Sequence, residues 1–531
     1  MTDNSFPTSE PRATPPLPAL PRAESVDVLL LLEGTFPFVS GGVSSWVYQI
    51  MNGFPDIRFG AVFIGSRAED YAGMRYALPA NLVHLEIVYL FEERDNPPVQ
   101  PAHAKPGAMR EVAAVHDLLH SDLKNPKCQH DFASLFDAAS PEGKISHEMF
   151  LYSEESWEYI KDSYRRHSTD PSFVDYFWTI RNLHTPFWRL REAAERVPRA
   201  RLYHSISTGY AGVMGVLLKH RNPAPFLLSE HGIYVKERKI DLFQATWISD
   251  NRNAFERDSS QMGYYRQLWI RFFEHLGYLT YQAADDIVAL YEANRQRQLA
   301  DGAPVERTRN IPNGVDVAKF AALRAQRPSL VPQVLCLIGR VVPIKDIKTF
   351  IRSMRTVAKH MPDAEAWIAG PEDEDPEYAE ECRELARQLG LSERVKFLGF
   401  QELTQLLPKV GLVVLSSISE ALPLVVLEGY AAGVPTVCTD VGSCRQLVEG
   451  LPGEDAALGH SGRVVRIADP DALAHAALAL LGDQDEWARA ARAAMRRVET
   501  YYTQAMMFDS YRTLYNKGFN REYPWQASAS S

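Results

Sequence analysis

Cysteine is scarce in this chain, with five in 531 residues. The count is odd and no C-x-x-C spacing occurs, which fits reduced thiols in a cytosolic enzyme. Long apolar runs are missing as well; Val28–Leu32 is stopped at once by Glu33, so no stretch approaches a bilayer span. Positive charge is not in excess, 57 basic against 67 acidic residues for a net −10, and a general nucleic-acid binder is disfavoured. The first 24 residues, rich in Pro, Ser and Thr, lack the apolar core of a secretory signal and read as a disordered tail. Several signatures are absent. There is no third glycine at dinucleotide spacing, no G-x-x-x-x-G-K-[ST], no G-x-S-x-G, no H-E-x-x-H and no kinase set. NAD-binding, P-loop, serine-hydrolase, zinc-protease and kinase readings therefore have no support.

What is present is a 46% apolar chain too long for one core, so two domains are expected. Val26–Leu32 reads as a buried strand. It leads through Gly41-Gly42 into apolar residues at helical spacing, Val43, Trp46, Val47, Ile50, Met51 and Phe54. A strand, a two-glycine turn and a helix form a diphosphate cradle, because no Cβ blocks the backbone and the helix start offers N–H donors. Gly-Gly alone is also an ordinary turn. Strands follow at 61–64 and 82–89; from about 96 to 198 the pattern turns to helices rich in charge and aromatics, including Trp157, Tyr159, Trp178 and Trp188. This segment reads as an insertion forming a lid, an acceptor surface or a partner surface, its aromatics serving mainly as core. Strand spacing resumes at 201–204 and 226–230, the latter running into His231-Gly232 at the same sheet edge as Gly41-Gly42; His204 competes as an equally lone histidine. Strands 287–290 and 309–312 lead into Asn313-Gly-Val-Asp316, a tight-turn signal.

From Pro328 strands and helices alternate regularly, predicting a second doubly wound parallel sheet. Its first strand ends in Gly339-Arg340-Val-Val-Pro-Ile-Lys345. A later strand, 411–415, enters Ser416-Ser-Ile-Ser-Glu420-Ala-Leu-Pro, followed by a helix from Leu424 and Val425 through Glu428 to Ala432. In a parallel sheet these turns share the carboxyl edge, where α/β proteins bind ligands. Two cations, a helix N-terminus and two flanking carboxylates there suit a diphosphate with sugar hydroxyls. Glu372-Asp-Glu-Asp375 contains a D-x-D, and its acidic, proline-bounded setting predicts a solvated loop rather than a metal site.

Gly41-Gly42, His231-Gly232, Pro312-Asn-Gly-Val-Asp316, Gly339-Arg340…Lys345 and Glu420-x7-Glu428 together resemble family 4 of the retaining, nucleotide-sugar-dependent glycosyltransferases, over about 26–518. Leu31-Leu-Glu-Gly-Thr-Phe-Pro-Phe-Val-Ser-Gly-Gly-Val-Ser-Ser-Trp46, the insertion and Arg340-Val-Val-Pro-Ile-Lys-Asp-Ile-Lys-Thr-Phe350 resemble more narrowly the PelF group, cytosolic enzymes of Pel exopolysaccharide synthesis. The resemblance implies an α/β GT-B fold, two Rossmann-like domains facing across a cleft. Residues 25–310 plus 506–520 would form the acceptor-side domain and 311–505 the nucleotide-sugar domain, with loose tails at 1–24 and 521–531. It implies a UDP-sugar donor and no cofactor or metal. Glu428 would hold the ribose, with Asn313, Leu424 and Val425 also at the nucleotide. Arg340, Lys345 and Gly41-Gly42 would hold the diphosphate, Glu420 the hexose, and His231 would stand beside the reacting carbon. The implied acceptor is a growing glycan. The implied partners are inner-membrane Pel synthase proteins, on which a cytoplasmic chain docks peripherally. Two departures from the family pattern stand out. Ala421-Leu-Pro423 replaces glycine-rich residues after the first glutamate, and Asp346 follows Lys345 where glycine is frequent. A sugar phosphorylase, a nucleotide-sugar epimerase and a non-catalytic UDP-binding assembly subunit are the alternatives.

Overall fold

The computed structural model describes residues 19–71, 73–92, 103, 108–118, 145–253 and 262–521. The expected N-terminal tail through residue 18, the tail from 522 and much of the insertion before residue 145 lie outside these. The chain divides into two compact units. Unit 1 comprises 1–288, 298–308 and 515–531, and unit 2 comprises 289–297 and 309–514.

Unit 1 is built on a seven-stranded sheet ordered β3-β2-β1-β4-β5-β6-β7. The strands are β1 Ser25–Glu33, β2 Phe59–Gly65, β3 Leu82–Tyr89, β4 Arg199–Ser205, β5 Phe226–Glu230, β6 Asp286–Ala289 and β7 Thr308–Asn310. β1 pairs in parallel with β2 (Leu30↔Ala61) and with β4 (Leu30↔His204). Val28 through Leu32 are completely buried, as a central strand covered on both faces requires. The described part of the insertion contains the helices His147–Tyr152, Glu154–His167 and Phe173–Ala194. Their Ile160, Tyr176, Ile180, Leu183 and Trp188 share one core cluster with Leu29, Val62 and Val88. Among the described aromatics of the insertion, Phe150, Tyr159, Tyr176, Phe187 and Trp188 are buried, whereas Tyr152, Trp157 and Trp178 are exposed.

Unit 2 has a six-stranded parallel sheet ordered β10-β9-β8-β11-β12-β13. Its strands are β8 Val334–Ile338, β9 Glu365–Ala369, β10 Val395–Gly399, β11 Leu412–Leu415, β12 Thr436–Thr439 and β13 Gly462–Val465. Alternate residues feed two cores. Cys336, Val413, Leu415 and Cys438 enter one, and Leu335, Leu337, Val414 and Val437 enter the other. Both sheets are doubly wound and Rossmann-like, as the strand–helix rhythm predicts. In each the winding reverses beside the first strand, between β1 and β4 and between β8 and β11. A crevice opens at the carboxyl ends of such strands.

The last helix, Gln504–Phe519, has its final residues in unit 1. There the Tyr515 hydroxyl meets His204 Nδ1 at 2.9 Å, and Lys517 Nζ donates to Asp286 at 2.7 and 2.8 Å.

Candidate functional site

In unit 2 the turns after β8 and β11 are sewn together. Ser416 Oγ donates to the Lys345 carbonyl at 2.8 Å, and the Ile418 amide donates to the Ile344 carbonyl at 2.9 Å. This brings Lys345 Nζ to 2.5 Å from Glu420 Oε1, which also accepts from Ser417 Oγ at 2.7 Å. The two side chains are 22% and 14% exposed, so the pair is shielded yet reachable. Asp346 adopts a left-handed φ of 44°. Aspartate tolerates that region better than most residues. Its carboxylate also caps the helix Ile347–His360 by accepting from the Thr349 amide at 3.2 Å.

Arg340 stands at the same edge but points its guanidinium at Glu374, 2.5–2.6 Å away. The acidic loop is solvated, with Asp373 and Glu374 exposed, and three of its four acids are engaged there. Glu374 pairs with Arg340, Glu372 pairs with Arg383, and Asp375 caps the helix Pro376–Gln388 through the Tyr378 amide. Each acid lies beside a cation or helix start that lowers its energy. Among the described residues no group of three or more His, Cys, Asp or Glu is placed to hold a metal.

The helix Leu424–Ala431 begins behind Pro423, with no side-chain cap and with half-buried Leu424 and Val425 in its first turn. An uncapped helix start presents amide donors and a positive dipole end to an anion. One turn on, burial pushes the Glu428 carboxyl up to about 7, against the opposing pull of Lys319. No hydrogen bond or ion pair joins Glu428 to Lys345 or Glu420 among the described residues. Asn313 is buried with its Oδ1 unpartnered, a polar atom waiting for a donor. Its segment is pinned by hydrogen bonds of 2.9 Å from the Val315 amide to the Tyr502 carbonyl and from the Gln504 amide to the Val315 carbonyl. At Gly314 a Cβ would lie 2.4 Å from the Thr503 carbonyl, so only glycine fits.

In unit 1, Gly41 and Gly42 open the helix Gly42–Gly53 with no side-chain cap and no atom within 4 Å of where a Cβ would stand. The lone histidines now separate. His204 is fully buried between Tyr515 and Ser229, 2.9 and 2.8 Å from its two nitrogens, and is structural. His231 packs edge-on against Trp46 at 4.4 Å, its Nε2 has no partner, and burial lowers its pKa to about 3. It is a neutral imidazole with a spare nitrogen. The preceding Glu230 anchors the strand end, accepting from Tyr281 Oη at 2.7 Å, Gln298 Nε2 at 3.0 Å and the Tyr234 amide at 3.1 Å.

The sequence reading missed a pocket of about 640 Å³ at the carboxyl ends of β1, β2 and β3, lined among others by Glu33, Arg238, Tyr234, Trp247, Trp269 and Phe273. Trp247 is 64% exposed and lies edge-on to Trp269 at 5.7 Å. Glu33 accepts from Tyr234 Oη at 2.6 Å and from the Ala211 amide at 3.1 Å. An exposed tryptophan among polar residues was the one signal available, and it lacked any recognisable spacing.

Residues 26–306 match the family model described as "Domain of unknown function (DUF3492)". The chain belongs to that family. Residues 332–483 match a second model, "Glycosyl transferases group 1". The chain is 32% identical over 221 residues to D-inositol 3-phosphate glycosyltransferase of Nocardia farcinica, covering 39% of this chain and 47% of that protein. It thus spans about half the length of the curated relatives it matches. Sucrose-phosphate synthase from Thermosynechococcus elongatus superposes with a TM-score of 0.55 at 16% identity, covering 92% of this chain and 98% of the other. HepE of Anabaena in complex with UDP and glucose superposes with a TM-score of 0.53 at 16% identity, covering 92% and 99%. The fold of this DUF3492 member is GT-B, with two Rossmann-like domains.

Proposed function

We propose that this protein is a retaining glycosyltransferase that moves a hexosyl unit, of N-acetylhexosamine or glucose type, from a UDP-sugar to a growing exopolysaccharide of Pel type. The observation that carries the reading is the Lys345–Glu420 pair beside an uncapped helix start at the switch point of unit 2. It is supported by the glycosyl transferases group 1 match over this unit and by the likeness to a fold seen elsewhere with UDP. Cleavage of the sugar–phosphate bond leaves a diphosphate with growing negative charge, and the fixed donors that meet this charge lower the barrier. Lys345 and the amides of Leu424 and Val425 supply them, and Arg340 joins once the diphosphate displaces Glu374. Glu420, released from Lys345 in the same exchange, turns to the hexose hydroxyls, and Glu428 accepts from the ribose. Front-face attack, with the leaving phosphate taking the acceptor's proton, gives retention without a second carboxylate.

In unit 1 the proposal gives His231 a hydrogen bond to the reacting sugar and gives the acceptor glycan the aromatic pocket beside Trp247. Pyranose rings stack on indole while carboxylates and guanidinium take their hydroxyls, and a 640 Å³ pocket is of the usual size for a small-molecule site. No described helix is long and apolar enough to cross a membrane. As a further part of the proposal, the chain works in the cytoplasm, docked on inner-membrane synthase proteins.

The test is a donor screen with purified protein, following UDP release with and without EDTA and the anomeric configuration of the product. Lys345→Ala should lower turnover about 100-fold or more while leaving the melting profile of unit 2 in place. Near-normal transfer by that variant, or inversion at the anomeric carbon, defeats the mechanism. Stoichiometric release of inorganic phosphate would point to a phosphorylase instead. UDP binding without turnover on any donor would point to an assembly subunit.

A further inference from the structure

The helix Gln484–Tyr501 carries Arg489, Arg492 and Arg496 at positions that share one face. Among the described residues no carboxylate pairs with any of the three. Like charges at this spacing repel and weaken a helix, and among the described residues no ion pair to these arginines relieves that repulsion. The three line a cavity of about 580 Å³ together with Arg463, His460 and Glu486. Its floor includes Gly459, Gly462, Ala490 and Ala493, small residues that leave a hollow rather than a flat basic patch.

The wall of this cavity is built by a fourth arginine that does not face it. Arg497 is fully buried. Its guanidinium donates to Asp455 Oδ1 at 2.6 Å and to the carbonyls of Val448, Asp455 and Gly459 at 2.8–2.9 Å, and it also reaches Ser461 Oγ. The turn bearing Gly459 and His460 is therefore held in place before any ligand arrives, which reduces the ordering cost of binding. Arg463 is the one cation of the set already neutralised, by Glu486.

Gly462 and Arg463 stand at the amino end of β13, whereas Glu420 follows the carboxyl end of β11. In a parallel sheet these are opposite edges, so the cavity is separate from the donor site of unit 2. Arg489 and Arg496 are seven residues apart, about 10 Å along the axis at the helical rise, a span that one phosphate does not bridge. Guanidinium forks match phosphate oxygens two at a time. We propose that this cavity binds a phosphate-bearing anion through Arg489, Arg492 and Arg496, with at least two phosphate groups engaged at once. The source is either a soluble polyphosphorylated molecule or a cluster of lipid headgroups.

The experiment is titration calorimetry of the full chain with sodium pyrophosphate and with inositol hexakisphosphate, beside co-sedimentation with phosphatidylglycerol vesicles. It is repeated on R489A/R492A/R496A, on K345A and on E486Q. The expected result is polyphosphate binding that weakens at least about tenfold in the triple variant, persists in K345A and fades as salt is raised. E486Q, which frees Arg463, should bind more tightly, a gain that misfolding cannot produce. Vesicle binding that needs the same three arginines, in the absence of polyphosphate binding, also supports the site and assigns its source to lipid headgroups. Affinity unchanged in the triple variant, loss only in K345A, or no arginine-dependent binding of any probe overturns the proposal.

Discussion

Replacing Glu428 by glutamine should raise stability and lower nucleotide affinity at the same time, an opposition that a purely structural carboxylate would not show. Burial raises the carboxyl from an ordinary 4.5 to about 7. A carboxyl whose folded pKa is raised favours folding fully below its unfolded value and loses that advantage as pH climbs through its folded one. The penalty for holding Glu428 charged is thus absent below 4.5, grows between 4.5 and about 7, and is complete above. At about 1.4 kcal/mol per unit this amounts to roughly 3 kcal/mol, lowered to about 2 by the partial access of water to the side chain. For a unit of this size about 2 kcal/mol corresponds to a melting rise of roughly 4–8 °C. Glu428→Gln should therefore melt higher than wild type well above pH 7 and together with it well below pH 5, as read by scanning calorimetry. UDP should bind the variant about 10- to 100-fold more weakly, because a charge-assisted hydrogen bond to the ribose is worth about 1.5–3 kcal/mol. Wild-type affinity for UDP should also fall as pH drops below 7, where the carboxylate takes up its proton. A variant less stable at high pH, or one with unchanged UDP affinity, refutes this account of Glu428.

Glu374→Gln removes the internal competitor of Arg340 and should tighten UDP binding severalfold in calorimetry, an effect opposite to that of Arg340→Ala. Trp247→Ala deletes an exposed ring and should leave stability within about 0.5 kcal/mol while raising KM for the acceptor and not for the donor. Arg497→Ala leaves Asp455 buried without its cation and should destabilise unit 2 by about 3–5 kcal/mol, visible as a lower midpoint in urea.

Much of this protein is legible along the chain, because strands buried on both faces announce themselves as unbroken apolar runs. The expected strand 26–32 lies within an observed one, the expected 411–415 runs one residue ahead of the observed Leu412–Leu415, and the helix from Leu424 begins where the sequence places it. Short-range chemistry is legible too. Glu420 and Lys345 sit in turns whose positions at a sheet edge follow from the strand–helix alternation alone. Partners far apart in sequence are another matter. That Arg340 would spend its charge on Glu374 and that His204 would be claimed by Tyr515 depend on how strands and loops pack. No local pattern encodes those pairings.

The sequence by itself determined the elements, their parallel order of winding and the chemical types gathered at the strand ends, since burial periodicity and turn residues act over a few positions. The tertiary structure alone decided which of two lone histidines keeps an open nitrogen, which cation faces an anion and which arginines are left without one. Those outcomes are set by desolvation and by contacts between residues tens to hundreds of positions apart, and both exist only once the chain has folded.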